Sequence, residues 1–216
     1  MKKILLLSTF LLLGLSAYSE NTPCNLTDEG VLINGIRWAT RNVDAPGTFA
    51  ETPESFGMLF QWNRKKGWCT RLPFSELEGW DSSLPEGAKW KRENDPCPTG
   101  WRLPTREELK LLYNVGSEWI TKNGRGGRLF GVEPYQIFLP AAGFRHCMII
   151  TRCEITREFF NDFPGDFIGN NSYGAYWSST RGGRLCAWFL EFKDCGVKWI
   201  PTFTRTNGLS IRCVAK

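Results

Sequence analysis

The sequence predicts an α+β fold with short strands, one or two helices and long loops, and three observations support this. Several short apolar runs are bounded by Gly-rich or polar segments, as strands are. One helix start is clear, at Thr105. The stretch 44–94 is rich in Gly, Pro and Trp and has no helical period, which indicates long loops held by aromatic side chains.

Length and composition indicate a globular chain with one core. The 216 residues are 42% apolar, 14% aromatic and 23% charged, which excludes a disordered chain. The sequence contains no internal repeat and no low-complexity tract, so no linker divides it. The formal net charge of +5 is only weakly basic. No nucleic-acid partner and no dedicated membrane-surface role are therefore expected.

Residues 1–19 are predicted to be a Sec-type signal peptide. Two lysines open the segment, an apolar stretch follows, and small residues occupy positions 17 and 19. The apolar stretch is too short to span a bilayer comfortably and no second long one follows, so no transmembrane segment is expected in the mature chain. We expect residues 20–29 to form a short N-terminal leader and residues 30–216 to form a single domain, secreted or displayed on the outer cell surface.

The strand predictions follow from turn residues and from alternation. Residues 31–39 indicate two strand arms around the turn Asn34-Gly35. In the run 187–192, Trp188, Leu190 and Phe192 share one face, which is expected to point inward, while the face with Phe189 is available to a partner. Further strands are predicted at 137–139, 176–178 and 209–214.

The clearest helix is predicted to begin after Thr105. Thr105 can cap the free amides while Glu108 reaches back three residues later, and Leu109 and Leu112 then face the core. A second short helix is predicted at 117–123, where it ends at an Asn-Gly pair.

The residues do not favour an enzyme. The single histidine, His146, would have to serve as the base of a hydrolase, and no nucleophile-elbow signature accompanies it. The sequence contains no C-x-x-C or H-x-x-H spacing for a metal. The glycine-rich stretches do not lie between a strand and a helix start, so they are not phosphate loops. We expect no catalytic residue, no metal and no cofactor.

Five ordered motifs carry a resemblance to a known family. They are WATRNV at 38–43, CPTGWRLPT at 97–105, LPAAGFR at 139–145, YWSST at 176–180 and LSIRCV at 209–214. In this order they resemble the Fibrobacter succinogenes major paralogous domain family, over roughly residues 30–214. The resemblance implies a C-type lectin-like fold with a small twisted antiparallel sheet. It also implies that Cys97 and Cys213 lie close together as a disulfide.

Two departures from related proteins affect the expected chemistry. Calcium-dependent sugar binding in C-type lectins uses a Glu-Pro-Asn or Gln-Pro-Asp loop and a Trp-Asn-Asp strand. This chain has EPY at 133–135 and WSS at 177–179 instead. A Ca²⁺-bridged sugar site is therefore not expected. The segment at 102–108 also resembles formylglycine-generating enzymes, but neither Cys147/Cys153 nor Cys186/Cys195 lies in the sequence context of their catalytic cysteine pair.

The segment at about 175–213 resembles the variable region of proteins diversified by retroelements. In such proteins framework strands hold changeable loops, and mutation of template adenines restricts the residues that can appear. Residues 181–186, 194–196 and 200–207 satisfy that restriction, whereas Lys193, Lys198 and Trp199 do not. Ordinary loops between framework strands would satisfy it as well, so both interpretations stay open at this point.

These observations predict a secreted or cell-surface ligand-binding and adhesion module. Its partner is expected to be a protein or an acidic glycan, bound through the C-terminal loops without Ca²⁺, because Arg and aromatic residues concentrate binding energy at interfaces. The alternatives are an oxidase-like enzyme of the formylglycine-generating type and a purely structural surface protein. The predicted ligand-binding residues are Arg181, Arg184, Leu185, Phe189, Lys193, Asp194, Lys198, Trp199, Ile200, Thr202, Phe203, Arg205 and Asn207.

Beyond the implied Cys97–Cys213 bond, local bridges are predicted at Cys147–Cys153 and Cys186–Cys195, the latter across a hairpin. All eight cysteines lie in the part of the chain that is expected to be exported, where disulfides can form. Spacing alone leaves many alternative pairings open.

Overall fold

A computed structural model describes residues 27–70, 79–145, 167–198 and 202–216. The structure is mostly β, with 47% of the described residues in strands and 8% in helices. The α+β prediction is therefore wrong. Within the described residues the chain forms several sheets and a single α-helix, and that helix is too short and too polar to cross a membrane.

The described elements are short and follow one another closely. The strands are β1 (Val31–Ile33), β2 (Ile36–Asn42), β3 (Leu59–Gln61), β4 (Gly67–Trp68), β5 (Trp101–Arg102), β6 (Ser117–Lys122), β7 (Arg125–Val132), β8 (Tyr135–Pro140), β9 (Ala142–Arg145), β10 (Phe167–Ile168), β11 (Tyr173–Arg181), β12 (Cys186–Lys193), β13 (Gly196–Lys198), β14 (Phe203–Thr204), β15 (Gly208–Leu209) and β16 (Arg212–Ala215). The α-helix is α1 (Arg106–Asn114), and a 3-10 helix spans Arg92–Asn94.

These strands form three sheets. The first has the order β1-β2-β16-β5, so the two ends of the described chain lie side by side. The second has the order β13-β12-β11-β9-β15-β3-β4, with β10 on β9 and β14 on β12. The third is the meander β6-β7-β8. The pairs are antiparallel except β11 with β9, which is parallel.

Two Asn-Gly turns decide two hairpins. Asn34 and Gly35 have φ of 48° and 79° and join β1 to β2, which confirms the predicted hairpin. Asn123 and Gly124 have φ of 50° and 75° and join β6 to β7. The helix predicted at 117–123 is therefore wrong. An Asn-Gly pair suits the left-handed turn of a hairpin, and β7 supplies a partner for every residue of β6, which outweighs a short helical pattern.

Helix α1 begins as the sequence predicts. The Oγ1 of Thr105 accepts a hydrogen bond from the Glu108 amide, and the Glu108 carboxylate accepts one from the Thr105 amide, so the capping box is complete. Leu109 and Leu112 are buried, as expected. The guanidinium of Arg102 also forms a bidentate pair with Glu108, at 2.8 Å and 2.6 Å, which attaches the helix to β5.

Both faces of the β11–β12 pair are covered by core. Trp188, Leu190 and Phe192 share a face as predicted, and Leu190 and Phe192 are fully buried there, whereas Trp188 is half-buried. The opposite face is not available to a partner. Phe189 is 0% exposed and packs on Trp177 and Phe203 in a second cluster. The expectation of one free face is wrong because other strands and loops of the second sheet cover it.

Three of the motifs that carry the resemblance, at 38–43, 176–180 and 209–214, meet at a buried polar centre. Arg212, which is fully buried, donates two hydrogen bonds to Asn42 Oδ1 and one each to the carbonyls of Ala39 and Phe138. The hydroxyl of Tyr176 donates to the carbonyl of Pro140 at 2.7 Å and accepts from Asn42. These motifs therefore provide the framework that joins the first two sheets.

The cysteines confirm one predicted bridge and contradict another. Cys97 and Cys213 form a disulfide with a Cα–Cα distance of 6.1 Å, which ties the segment before α1 to β16. Cys186 is disulfide-bonded, but Cys195 is an exposed free thiol, so the predicted Cys186–Cys195 bridge is wrong. The predicted Cys147–Cys153 bridge, like His146, lies outside the described residues.

Candidate functional site

The predicted ligand-binding residues differ widely in exposure. Arg181, Arg184, Asp194 and Lys198 are exposed, and Leu185, Lys193 and Thr202 are half-buried. Phe189, Phe203, Arg205 and Asn207 are buried, so the expectation that they present their side chains to a partner is wrong. Trp199 and Ile200 lie outside the described residues.

The accessible members of this set lie at opposite ends of β12. Arg181, Arg184 and Leu185 lie near its first residue, whereas Lys193 is its last residue, Asp194 follows it, and Lys198 on β13 pairs with Glu191 close to that end. The eight residues of β12 span about 23 Å at the rise of ~3.3 Å per residue in a strand. Because Phe189 between them is buried, the two ends are separate surfaces and do not form one patch.

One of these surfaces is rich in arginine, and we call it the arginine end of β12: Arg181, Arg184 and Arg205 with loop 182–185. The loop closes the β11–β12 hairpin, where the amide of Gly182 donates to the carbonyl of Cys186. In the described part of the chain no carboxylate lies within 4.0 Å of any of the three guanidinium groups. The surface is therefore positively charged.

Arg205, which is buried under loop 182–185, holds this loop in place by hydrogen bonds. Its Nη2 donates to the carbonyl of Arg184 at 2.6 Å, its amide donates to the carbonyl of Leu185 at 3.0 Å, and its Nη1 donates to the carbonyl of Gly87 at 3.3 Å. The guanidinium lies 5.0 Å from the centre of the Trp62 ring. Arg205 is thus a positioning residue for loop 182–185.

The electrostatics of this end favour an anion. Burial, and then the nearby positive charge of Arg181, lower the pKa of Arg205. Arginine nevertheless stays protonated at physiological pH. An anionic group bound beside Arg181 would offset the repulsion between these two cations. The charge distribution at this end therefore favours a negatively charged group.

Two cationic residues beside the arginine end, Lys89 and Arg106, were not predicted from the sequence. Lys89 forms an isolated β-bridge with Thr180, which places another cation beside β11. The guanidinium of Arg106 lies 3.6 Å from the centre of the half-buried Trp188 ring, and its amide donates to Thr180 Oγ1. No local pattern could have indicated these contacts, because Lys89 and Arg106 come from distant segments of the chain.

At the opposite end of β12, the side chain of Arg128 holds the turn by hydrogen bonds to backbone carbonyls. Arg128 donates to the carbonyls of Lys193 and Asp194, at 3.0 Å and 3.2 Å, and to Ser117. The turn that follows contains Cys195, whose amide donates to the Asp194 carboxylate. Among the described residues, this end has a mixed charge and no group of exposed arginines.

Across residues 27–70, 79–145, 167–198 and 202–216, no three His, Cys, Asp or Glu side chains lie together as a metal site would require.

In comparisons with known proteins, no family model, no curated protein and no solved structure matches this chain.

Proposed function

We propose that this chain is an exported ligand-binding module that recognises an acidic surface on a protein partner through the arginine end of β12. The observation that carries the proposal is the group of three guanidinium groups without a carboxylate in the described part of the chain. Arg181 and Arg184 are exposed on a short hairpin loop, and Arg205 holds that loop by hydrogen bonds to two of its carbonyls. A loop positioned by a rigid scaffold is the usual place for a binding site.

Arginine chemistry favours carboxylates as the target. The planar guanidinium offers paired N–H donors that match a carboxylate, and Arg is enriched among the residues that dominate protein interfaces. An acidic glycan offers carboxylates too. A protein surface is favoured because it can also cover the apolar part of Leu185, which is half-buried beside the two arginines.

Export is the second part of the proposal. It is supported by the Cys97–Cys213 disulfide, since such bonds persist in oxidising compartments and are rare in the cytosol. It is also supported by the charged and apolar pattern of residues 1–19. Retroelement diversification is proposed only for the exposed loop 182–185 and the turn at 194–196, because residues 203–207 are buried.

The binding proposal is tested with a poly-glutamate peptide as the acidic protein probe and heparin as the acidic glycan probe. Arg181→Ala/Arg184→Ala is expected to weaken peptide binding at least about tenfold, roughly 1.4 kcal/mol, in calorimetric titration at fixed salt. Added EDTA is expected to leave the affinity unchanged, since the arginines need no metal.

The matched control is Arg37→Ala/Lys198→Ala, which removes the same charge from exposed positions on β2 and β13. It is expected to change the affinity less than twofold. An equal loss in both variants would show that net charge alone drives binding and would overturn the proposal. Stronger binding of heparin than of the peptide, at equal charge, would reassign the partner to acidic glycans.

A further inference from the structure

A second candidate site is a cavity of about 900 Å³ that we call the Arg125 cavity. Its described lining comes mainly from loop 44–58, which connects β2 to β3, and from the turn between β6 and β7. The lining residues with polar or flexible side chains include Asp44, Glu51, Met58, Asn123, Arg125 and Asn170. The volume is at the upper end of the usual range for ligand sites, which suits a ligand longer than a single amino acid. None of these residues belongs to the arginine end of β12.

Loop 44–58, the first wall of the cavity, is attached to the end of β2 by hydrogen bonds. The amide of Met58 donates to the carbonyl of Val43 at 3.1 Å, and the amide of Ala50 donates to the carbonyl of Asn42 at 2.8 Å. The side-chain Nδ2 of Asn42 also donates to the carbonyl of Phe56 at 2.9 Å. Because the loop is fixed at three points, this wall is formed before a ligand arrives.

The turn between β6 and β7, the second wall, is joined to the loop by two side-chain contacts. Lys122 Nζ lies 2.8 Å from Glu54 Oε1. The guanidinium carbon of Arg125 lies 4.5 Å from the centre of the Phe56 ring, within the range of a cation–π contact. The Phe56 contact thus places Arg125 where the two walls meet.

Asn170 is placed at the cavity by its neighbour Asn171. The Asn171 side chain accepts from the amide of Gly126 at 2.6 Å and donates to the carbonyl of Gly124 at 3.3 Å. The side chains of Asn170 and Asn123 are both exposed in the lining. Each carboxamide offers donors and an acceptor, which match the N–H and C=O groups of a peptide.

The charges of the cavity are divided between its two walls. Glu54 and Lys122 neutralise each other: burial would raise the pKa of Glu54, but hydrogen bonds, chiefly from Lys122, hold that pKa below 4.5. On the loop wall Asp44 is half-buried and Glu51 is exposed, and no cation of the described chain lies within 4.0 Å of either carboxylate. Arg125 on the other wall is exposed and has no described carboxylate within that distance. The cavity therefore presents both signs of charge to a ligand.

We infer that the Arg125 cavity binds a short peptide with free termini, with its ammonium toward Asp44 and Glu51 and its carboxylate toward Arg125. A guanidinium offers paired N–H donors that match a terminal carboxylate. Met58 is half-buried in the lining, and its flexible thioether can pack against an apolar side chain of the peptide. A simple cation or a simple anion would leave one of the two charged walls without a complement. This site goes beyond the recognition of an acidic partner at β12 and does not depend on it.

The probe is the tripeptide Ala-Leu-Ala with both termini free, compared with its N-acetylated and C-amidated forms in calorimetric titrations at fixed salt. Each modification removes one terminal charge and is expected to weaken binding at least about tenfold. Butylamine and acetate, which carry one charge each, are expected to bind at least about tenfold more weakly than the free peptide.

Variants of the two walls are expected to respond to different termini. Asp44→Asn/Glu51→Gln is expected to weaken binding of the free peptide at least about tenfold and to leave binding of the N-acetylated form unchanged. Arg125→Gln is expected to weaken binding of the free peptide by a similar factor and to leave binding of the C-amidated form unchanged. Misfolding would reduce the binding of every probe alike, so this crossed pattern separates a lost contact from a lost fold.

The controls remove the same charges elsewhere. Glu93→Gln/Glu107→Gln and Arg37→Gln, at exposed positions outside the cavity, are expected to leave the affinity for the free peptide unchanged, as is Arg181→Ala/Arg184→Ala. No binding of the free peptide to the folded wild-type chain would overturn the inference. Equal affinities for the free, acetylated and amidated peptides would also overturn it, as would binding of butylamine or acetate as tight as that of the peptide.

Discussion

Arg205 shows how one residue's role depends on its surroundings. In the sequence it is one of several arginines in a predicted binding loop, and in the structure it is 4% exposed and bonded to three backbone groups. Buried guanidinium groups need acceptors, and backbone carbonyls supply them here. Its effect on binding is therefore expected to be indirect, through the position of Arg184.

Phe189 makes the same point for an apolar side chain. Phe189→Ala is expected to lower the free energy of unfolding by about 3–5 kcal/mol, because the ring is fully buried against Trp177 and Phe203 and its removal leaves a cavity. Urea denaturation followed by circular dichroism measures this. Leu111→Ala, at a position 42% exposed on α1, is the control and is expected to stay within about 0.5 kcal/mol. Equal effects of the two changes would contradict the buried position of Phe189.

At the scale of elements, α1 is specified locally and β6 is not. The capping box, the acidic first turn and the buried pair Leu109 and Leu112 all lie within a few residues of one another, so α1 could be predicted. The segment 117–122 is a strand because β7 pairs with all of it, and that pairing is not visible in its own composition.

The pH dependence of stability is expected to reveal the Glu108 contacts. Burial would raise the pKa of Glu108, but hydrogen bonds from Arg102 and Thr105 outweigh it, so the pKa in the folded chain lies below its ordinary value of 4.5. A depressed folded-state pKa means that ionised Glu108 adds stability above the unfolded pKa. That contribution is lost as the pH falls through the folded pKa.

Glu108→Gln is accordingly expected to lower the free energy of unfolding by about 0.5–2 kcal/mol at neutral pH, the range for a lost helix cap. The difference from the wild type should shrink as the pH falls below 4.5. Urea midpoints measured between neutral and acidic pH test this. Glu107→Gln removes an exposed carboxylate from the same helical turn and is the control. A difference that does not change with pH would show that the charge of Glu108 is not involved.

At the scale of the whole molecule, the C-terminal strand β16 is joined both to the N-terminal strand β2 and to the segment before α1. β16 pairs with β2 and β5, and Cys213 at its centre is bonded to Cys97. The sequence separation of 116 makes this a long loop, and the entropy removed from the unfolded chain grows with loop length.

Cys97→Ser/Cys213→Ser is expected to lower the free energy of unfolding by roughly 4–5 kcal/mol in the chain-entropy treatment. Urea denaturation without reductant measures this difference. Cys195→Ser, which removes an exposed free thiol, serves as the control and is expected to have no measurable effect. An unchanged midpoint in the double variant would mean that the sheet pairing alone holds the two segments together.

The sequence by itself determined the features that depend on near neighbours. The Asn34-Gly35 hairpin, the cap of α1 and the strand positions at 137–139 and 187–192 were predictable, because turn geometry, capping and alternation act over a few residues. The Cys97–Cys213 bond was implied by the family resemblance and not by the spacing of the cysteines.

Only the tertiary structure decided which faces are open. The alternation of β12 is typical of a strand with one solvent-exposed face. In the structure other segments of the chain cover both of its faces, so Phe189 belongs to the core, where it packs with Phe203. The same applies to the arginine end of β12, where Arg205 reaches Gly87 across a long stretch of chain. Local pattern indicates which side chains share a face, but whether a second face is also covered, and which distant polar atoms pair, is set by the whole packed molecule.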